Sequence, residues 1–470
     1  MQSEGKAVIG LECHVQLHTA SKLFCGCTTK ATEPNSATCE ICLGMPGSKP
    51  SLNEKALEFG LRVALALNCE INREFFFSRK TYFYPDLAKN FQITQFEIPL
   101  AKNGFVKLRS GKTVVIRRVH LEEDPAALVH EGGMASANYS LVDYNRSGIP
   151  LVEIVTEPVI DSPAEAREFL DELLNILNYL GVFVQGEDTL KVDSNISIKG
   201  SERVEVKNIS GFQAVEKALL FEIERQRKAL GKGGKVEREV RSFDEATGST
   251  RSLRKKEFEE DYGYIFEPDL PSIELSEKQI SDVKNALPEL PQEKAQRLEK
   301  QFGLPAYDAK VLSSDISLAG LFDETAKTID PKLSAKFLTR ELLAILNHGN
   351  LSLSQLRLEA NEITALLELL EKGMVSEKNA KEAMIKYVNE KIPPKEFLQK
   401  NNLLKDMKSD ETAAIVEKVL NENPQAVEDL KKGETKALNF LVGLVMRQTK
   451  GKAEAREVQR MIEEMMKNAD

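Results

Sequence analysis

The break at Leu287-Pro288-Glu289-Leu290-Pro291 constrains this chain more than any other feature. Before it, β-branched runs such as Val114-Val115-Ile116 and Leu151-Val152-Glu153-Ile154-Val155 alternate with turn residues and read as strands. After it, strand signals nearly vanish and helix-forming residues dominate to the end. A chain of 470 residues is too long for one ordinary core. The reading is therefore α+β: a β-rich domain over 1–290, an all-helical middle domain over 291–405 and a small helical tail domain over 406–470, entered through a break near Asn401 to Asp410. In the tail, Asp410 and Asn423-Pro424 look like helix starts and Gly433 and Gly451 like stops, while Ala437, Leu441, Leu444 and Val445 share one apolar face.

The β-rich domain is also predicted to hold a pair of helices. Ser162-Pro163-Ala164-Glu165 has the form of a capping box with proline at the first helical position. The stripe Ala166, Leu170, Leu173, Leu174, Leu177 and Leu180 follows at helical spacing and stops at Gly181. A second helix, from about Gln213 to Leu230, buries Val215, Leu219 and Ile223, and Gly231-Lys232-Gly233-Gly234 then leads into a strand.

No apolar run approaches the roughly 18 residues of a membrane span, and Met1 to Lys6 lacks the form of a signal peptide, so a cytosolic protein with no membrane partner is expected. Net charge is −9, from 64 Lys+Arg against 73 Asp+Glu, which does not announce a nucleic-acid binder. The basic stretch from Arg225 to Lys256 reads by itself as a solvated face. All six cysteines lie in the first 69 residues, where a reducing compartment favours metal binding or free thiols over disulfides.

Cys25-x-Cys27 and Cys39-x-x-Cys42 form two thiol pairs whose spacing suits a closed, structural zinc site, with four uncoordinated thiols as the alternative. Glu12-Cys13-His14 places Glu12 and His14 on one face of a strand. His120-Leu121-Glu122-Glu123-Asp124 gathers three carboxylates and an imidazole, and Asp193 lies near the end of another strand-like run. Such hard ligands suit Mg²⁺ and phosphate chemistry, and solvated surface charge is the plainer alternative. Cys13, beside His14 but facing the other way, reads as structural. Between these clusters, Arg79 to Gln95 interleaves cations, aromatics and amides, which fits either ligand binding or a core-edge loop. Walker, kinase and nucleophile-elbow motifs are missing, so any ATP site uses an unfamiliar frame.

The chain resembles the B subunit of the Asp/Glu-tRNA amidotransferases. The resemblance rests on Gly10 to Leu17, Lys22 to Cys27, Cys42 to Gly47, Tyr82 to Leu87, His120 to Asp124, Asp143 to Leu151, Asp244 to Gly248 and Glu267 to Pro271, in that order. Lys436 to Gly443 and Thr449 to Ala453 extend it through the tail, so that it covers essentially the whole chain.

That resemblance implies a β-rich cradle holding an activation site, with the helical domains embracing tRNA. It implies an ATP-dependent ligase reaction on mischarged Glu-tRNA(Gln) or Asp-tRNA(Asn), in which the side-chain carboxylate is phosphorylated and ammonia displaces phosphate. The expected partners are an amidase (the A subunit) that supplies ammonia, a small C subunit and the mischarged tRNA. The expected cofactors are ATP, Mg²⁺ and structural Zn²⁺. Carried over by position, Glu12, His14, Glu122, Glu123 and Asp193 are the Mg²⁺ candidates and Cys25, Cys27, Cys39 and Cys42 the Zn²⁺ ligands. Lys80 faces phosphate or carboxylate, Tyr82, Tyr84, Asp86 and Gln95 shape the pocket, and Lys207, Asn208 and Phe212 approach the nucleotide. The chain departs from the family pattern at Cys13, Lys191 and Ile209-Ser210-Gly211, which bears most on the nucleotide contacts. The rival readings are a tRNA-binding scaffold with a silent site and the related archaeal E subunit, whose large insertion is missing here.

Overall fold

Ile9, Leu11, Cys13 and Val15 alternate with Glu12, His14 and Gln16, and the period of two makes Ala7–Gln16 a strand with one apolar and one polar face. The computed structural model describes all residues except 1–5, 131–138, 210, 256–261, 350, 357, 405–408, 432–434, 450–452, 454 and 468–470. It divides into two compact units, Met1–Leu290 and Pro291–Asp470.

The first unit carries the strands. In chain order they are β1 (Ala7–Gln16), β2 (Glu70–Ile71), β3 (Glu74–Phe75), β4 (Ser78–Thr81), β5 (Phe91–Thr94), β6 (Ala101–Lys107), β7 (Thr113–Glu123) and β8 (Ala127–Val129). Then follow β9 (Leu141–Asp143), β10 (Pro150–Thr156), β11 (Leu190–Ile198), β12 (Val204–Ile209), β13 (Glu239–Asp244), β14 (Ser249–Lys255), β15 (Gly263–Phe266) and β16 (Ile273–Glu274). Nine of them form one sheet in the order β14-β13-β12-β11-β1-β10-β7-β6-β2. Pairing there is antiparallel except between β12 and β13. A three-stranded sheet, β15-β4-β5, joins the same unit.

Helices α1 (Glu54–Ala66), α2 (Pro163–Leu180) and α3 (Phe212–Gly231) supply apolar residues to the same core as the buried side chains of the large sheet. Helix α1 is absent from the sequence-based expectation. Its cap is Asn53, whose side chain accepts from the N–H groups of Lys55 and Ala56. Gly60 allows the helix its close approach, because a Cβ there would stand 3.0 Å from the Leu100 and Leu121 side chains. Helix α2 starts and stops as expected, with Gly181 left-handed at φ 64°. The capping box is only half formed: Ser162 Oγ accepts from Glu165 N–H, but the Glu165 carboxylate accepts from Asp161 N–H. Reaching one residue further back lets Glu165 also pair with Lys112 at 2.8 Å.

In the second unit every regular element among the described residues is helical. Two separate apolar clusters form there, one between Leu298 and Leu398 and one between Val416 and Ile462. Leu441 and Val445 lie fully buried in the second, with Leu444 packed against it. The predicted helix stops Gly433 and Gly451 lie outside the described residues. No helix among the described residues is long and apolar enough to cross a membrane.

Candidate active site

One face of the large sheet is polar because the strand registers line up their charged positions. His14 of β1 stands opposite Glu153 of β10 and Lys191 of β11. Glu153 in turn stands opposite His120 of β7. One row over, Glu12 stands opposite Asp193. Partners across a ladder share a face, so four neighbouring strands deliver these groups to one surface.

The resulting contacts are close. His14 Nδ1 lies 3.1 Å from Glu122 Oε1 and 4.0 Å from Glu153 Oε2. His120 Nε2 lies 3.1 Å from Glu153 Oε2 and 3.7 Å from Glu122 Oε2, to which Thr94 Oγ1 donates at 3.2 Å. Ligand atoms of His14, Glu122 and Glu153 fall within 4.8 Å of one another, as do those of Glu12, His14 and Asp193. Burial opposes charge on His14, but the Glu153 charge and the Glu122 hydrogen bond outweigh it and raise its pKa to about 10. Glu153, penalised by burial yet held by the charge of His120, is lowered to about 2. Two carboxylate-rich triads sharing an imidazole fit a hard divalent cation, which would take the place of the proton on His14.

These groups line a cavity of about 1270 Å³, larger than the roughly 300–1,000 Å³ of most small-molecule sites. Lys80, Tyr82, Tyr84, Asp86 and Gln95 all line it. The Lys80 Nζ sits 4.8 Å from the Tyr262 ring centroid and 5.9 Å from that of Tyr82. Burial works against its charge, but Tyr264, Glu122 and Glu153 hold its pKa above the ordinary lysine value. Burial pushes the Tyr82 phenol up to about 12 and raises the Asp86 carboxyl. Gln95 Oε1 accepts from Leu121 N–H at 2.9 Å, whereas Gln95 Nε2, Asp86 Oδ1 and His120 Nδ1 are buried without a hydrogen-bond partner. Unpaired buried polar atoms concentrated on cavity residues point to a polar ligand.

A family model described as the GatB/GatE catalytic domain matches residues 7–281, and one described as the GatB domain matches residues 320–466. The chain belongs to this family. Among its relatives is the B subunit of an aspartyl/glutamyl-tRNA(Asn/Gln) amidotransferase from Thermotoga maritima, 44% identical over 98% of this chain and 99% of the relative. Proteins of the same description from Carboxydothermus hydrogenoformans and Sulfolobus acidocaldarius are 41% and 45% identical. They cover 98% and 97% of this chain, and 99% and 98% of their own lengths. The matched GatB/GatE catalytic domain thus spans the whole polar face just described.

Not every predicted ligand joins the cluster. Glu123 is adjacent to Glu122 on β7 and therefore points to the opposite face, where it accepts from Lys89 Nζ and from Ile93 N–H. Its place is taken by Glu153, which the sequence does not single out; the available signal is a lone carboxylate inside the apolar run Leu151 to Val155. Asp193 lies in mid-strand rather than near a strand end, paired with Lys207 at 2.9 Å. The expected nucleotide contacts do not converge either. Lys207 lines the main cavity, Phe212 lines a separate one of about 440 Å³, and the Asn208 side chain lies outside what is described.

The four thiols do converge. Sulfurs of Cys25, Cys27, Cys39 and Cys42 lie within 4.8 Å of one another, and Cys39 and Cys42 are 3.9 Å apart. A tetrahedral zinc with Zn–S near 2.3 Å requires sulfur spacings of about 3.8 Å, so the residues fit. Cys13 instead faces the core with no exposure, and burial pushes its thiol pKa up. Cys13→Ser is expected to lower stability by about 1–3 kcal/mol through an unpaired hydroxyl, read from the urea midpoint, with KM unchanged.

Proposed function

We propose that this chain activates the side-chain carboxylate of glutamate or aspartate esterified to a mischarged tRNA, as the names of its relatives suggest. ATP would phosphorylate that carboxylate, ammonia would then attack the acyl phosphate, and amide and inorganic phosphate would leave. A free carboxylate resists ammonia because its charge repels nucleophiles and oxide leaves poorly; phosphorylation removes both obstacles. The observation that carries this reading is the cluster of Glu12, His14, Glu122, Glu153 and Asp193 inside a cavity large enough for a nucleotide and an aminoacyl end.

The chain's own residues divide the work. His14, Glu122 and Glu153, with Glu12 and Asp193 beside them, would hold Mg²⁺, which when bound gathers phosphate oxygens and offsets their charge. Lys80 supplies a fixed positive charge toward the transferring phosphoryl group. Tyr82, Tyr84, Asp86 and Gln95 orient the substrate, and Lys207 serves the nucleotide. An amidase and a small third protein complete the assembly, and the helical unit holds tRNA. The test is ATP hydrolysis and amide formation by the co-purified assembly, presented in turn with each mischarged tRNA. Hydrolysis that proceeds equally without aminoacylated tRNA would count against the proposal.

We assign the four thiols to structural zinc. About one zinc per chain is expected on isolation. Cys39→Ser combined with Cys42→Ser should lose it and lower the unfolding midpoint of the N-terminal unit, a change followed by metal analysis and urea titration.

A further inference from the structure

The four-thiol knuckle is stitched to the turn that presents Arg146 to the main cavity. Lys22 is fully buried, and its ammonium donates to Ala37 O at 2.8 Å, to Tyr144 O at 3.2 Å and to Cys42 Sγ at 3.6 Å. A buried ammonium needs such partners, and four thiolates around one zinc carry a net negative charge that this cation offsets.

Further bonds run between the same two segments. Asn145 Oδ1 accepts from Ala37 N–H at 2.8 Å, and Asn145 Nδ2 donates to Glu33 O at 2.6 Å. Tyr144 N–H donates to Asn35 Oδ1 at 2.7 Å, Asn35 N–H donates to Asp143 Oδ1 at 2.9 Å, and Ser147 Oγ donates to Cys42 O at 3.0 Å. Between Asn145 and Ser147, Arg146 turns the other way. Its guanidinium donates to the carbonyls of Pro125 and Ala126 at 2.9 Å each, lies 3.3 Å from Asp124 and lines the cavity.

We propose that the knuckle is a positioning device for Arg146. A metal on the thiols fixes the Glu33 to Cys42 loop, that loop templates the Asp143 to Ser147 turn through Asn145 and Ser147, and the turn aims Arg146. Lys22 is the buried pin between the two. The metal site therefore governs a cationic group of the activation cavity, in addition to holding up its own loop. Arg146 is a geometrically demanding residue, because a planar guanidinium serves an anionic oxygen pair only when held in one orientation.

The inference rests on the zinc reading but not on the reaction, and its test uses no turnover. Phenylglyoxal labelling of Arg146 in the full chain is followed by mass spectrometry, with Arg167 and Arg297 as controls, alongside zinc per chain. Asn145→Ala is expected to keep its zinc and to label Arg146 about tenfold faster, the ratio for losing one or two hydrogen bonds. Chelator-stripped wild type should label equally fast and return to slow labelling when zinc is restored, whereas Asn145→Ala should not respond to added zinc. Lys22→Met should release zinc to a chelator faster than wild type. Unchanged Arg146 labelling in both Asn145→Ala and stripped protein overturns the proposal. So does a parallel rise at Arg167 and Arg297, which would mean general loosening. Wild type that neither contains nor takes up zinc overturns it at the first step, leaving the carboxylate site untouched.

Discussion

Glu153→Gln is expected to reduce tRNA-dependent ATP hydrolysis by roughly 10²–10³-fold while leaving the fold intact. Glutamine keeps an oxygen for the 3.1 Å contact with His120, so the strand and its neighbours should survive the change. What disappears is a negative charge that, with His14 and Glu122, completes a set of possible cation ligands. Circular dichroism and the urea midpoint check folding, and Mg²⁺ titration of the rate separates a weakened metal site from a lost chemical step. Glu123→Gln provides the contrast. It faces Lys89 and Ile93 away from the cluster, so its cost should fall mainly on stability. A Glu153→Gln enzyme with near-normal hydrolysis would remove the cluster from the mechanism.

The second large effect is expected at Glu267→Ala, which should cost about 3 kcal/mol of stability. Glu267 has 1% exposure and receives both Nε and Nη2 of Arg79, at 2.7 and 2.8 Å. Arg79 also lies over the Phe91 ring at 4.4 Å, so one guanidinium clamps β4, β5 and the segment after β15 together. Removing the carboxylate leaves a partly buried cation facing Asp269 at 3.5 Å, a longer contact than either bond to Glu267. Lys80 is the next residue on β4, opposite Tyr264 of β15, so the same substitution should disturb the lysine that faces the cavity. Urea unfolding measures the stability loss, and a raised KM alongside it would report the shift at Lys80. A midpoint within about 0.5 kcal/mol of wild type would show that the clamp carries little energy.

The sequence is most legible where local rules act alone. Pro163 and Gly181 delimit helix α2 because a first-turn proline and a left-handed glycine need no tertiary context. The shared face of Glu12 and His14 follows from period two for the same reason. Glu123 is nominated by position from the family resemblance, and its place on the side of β7 away from Glu122 shows only once the strand's phase is known. Glu153 escapes notice because its importance comes from His14 and His120 on neighbouring strands, and register is set by long-range pairing. Helix α1 is hard to see although Asn53 caps it, since its short apolar stripe gains meaning only against the sheet.

Because its side chains come from adjacent ladders, the polar cluster on this sheet cannot be altered by insertion or deletion without changing everything around it. Dropping one residue from the middle of β1 would carry Glu12 or His14 into the oily interior and push Leu11 or Cys13 out onto the polar face. Evolution can therefore exchange side chains here freely only by point substitution, and length variation should be confined to the connections. For an engineer the same logic means that grafting this cluster requires transplanting β7, β10, β1 and β11 as a block.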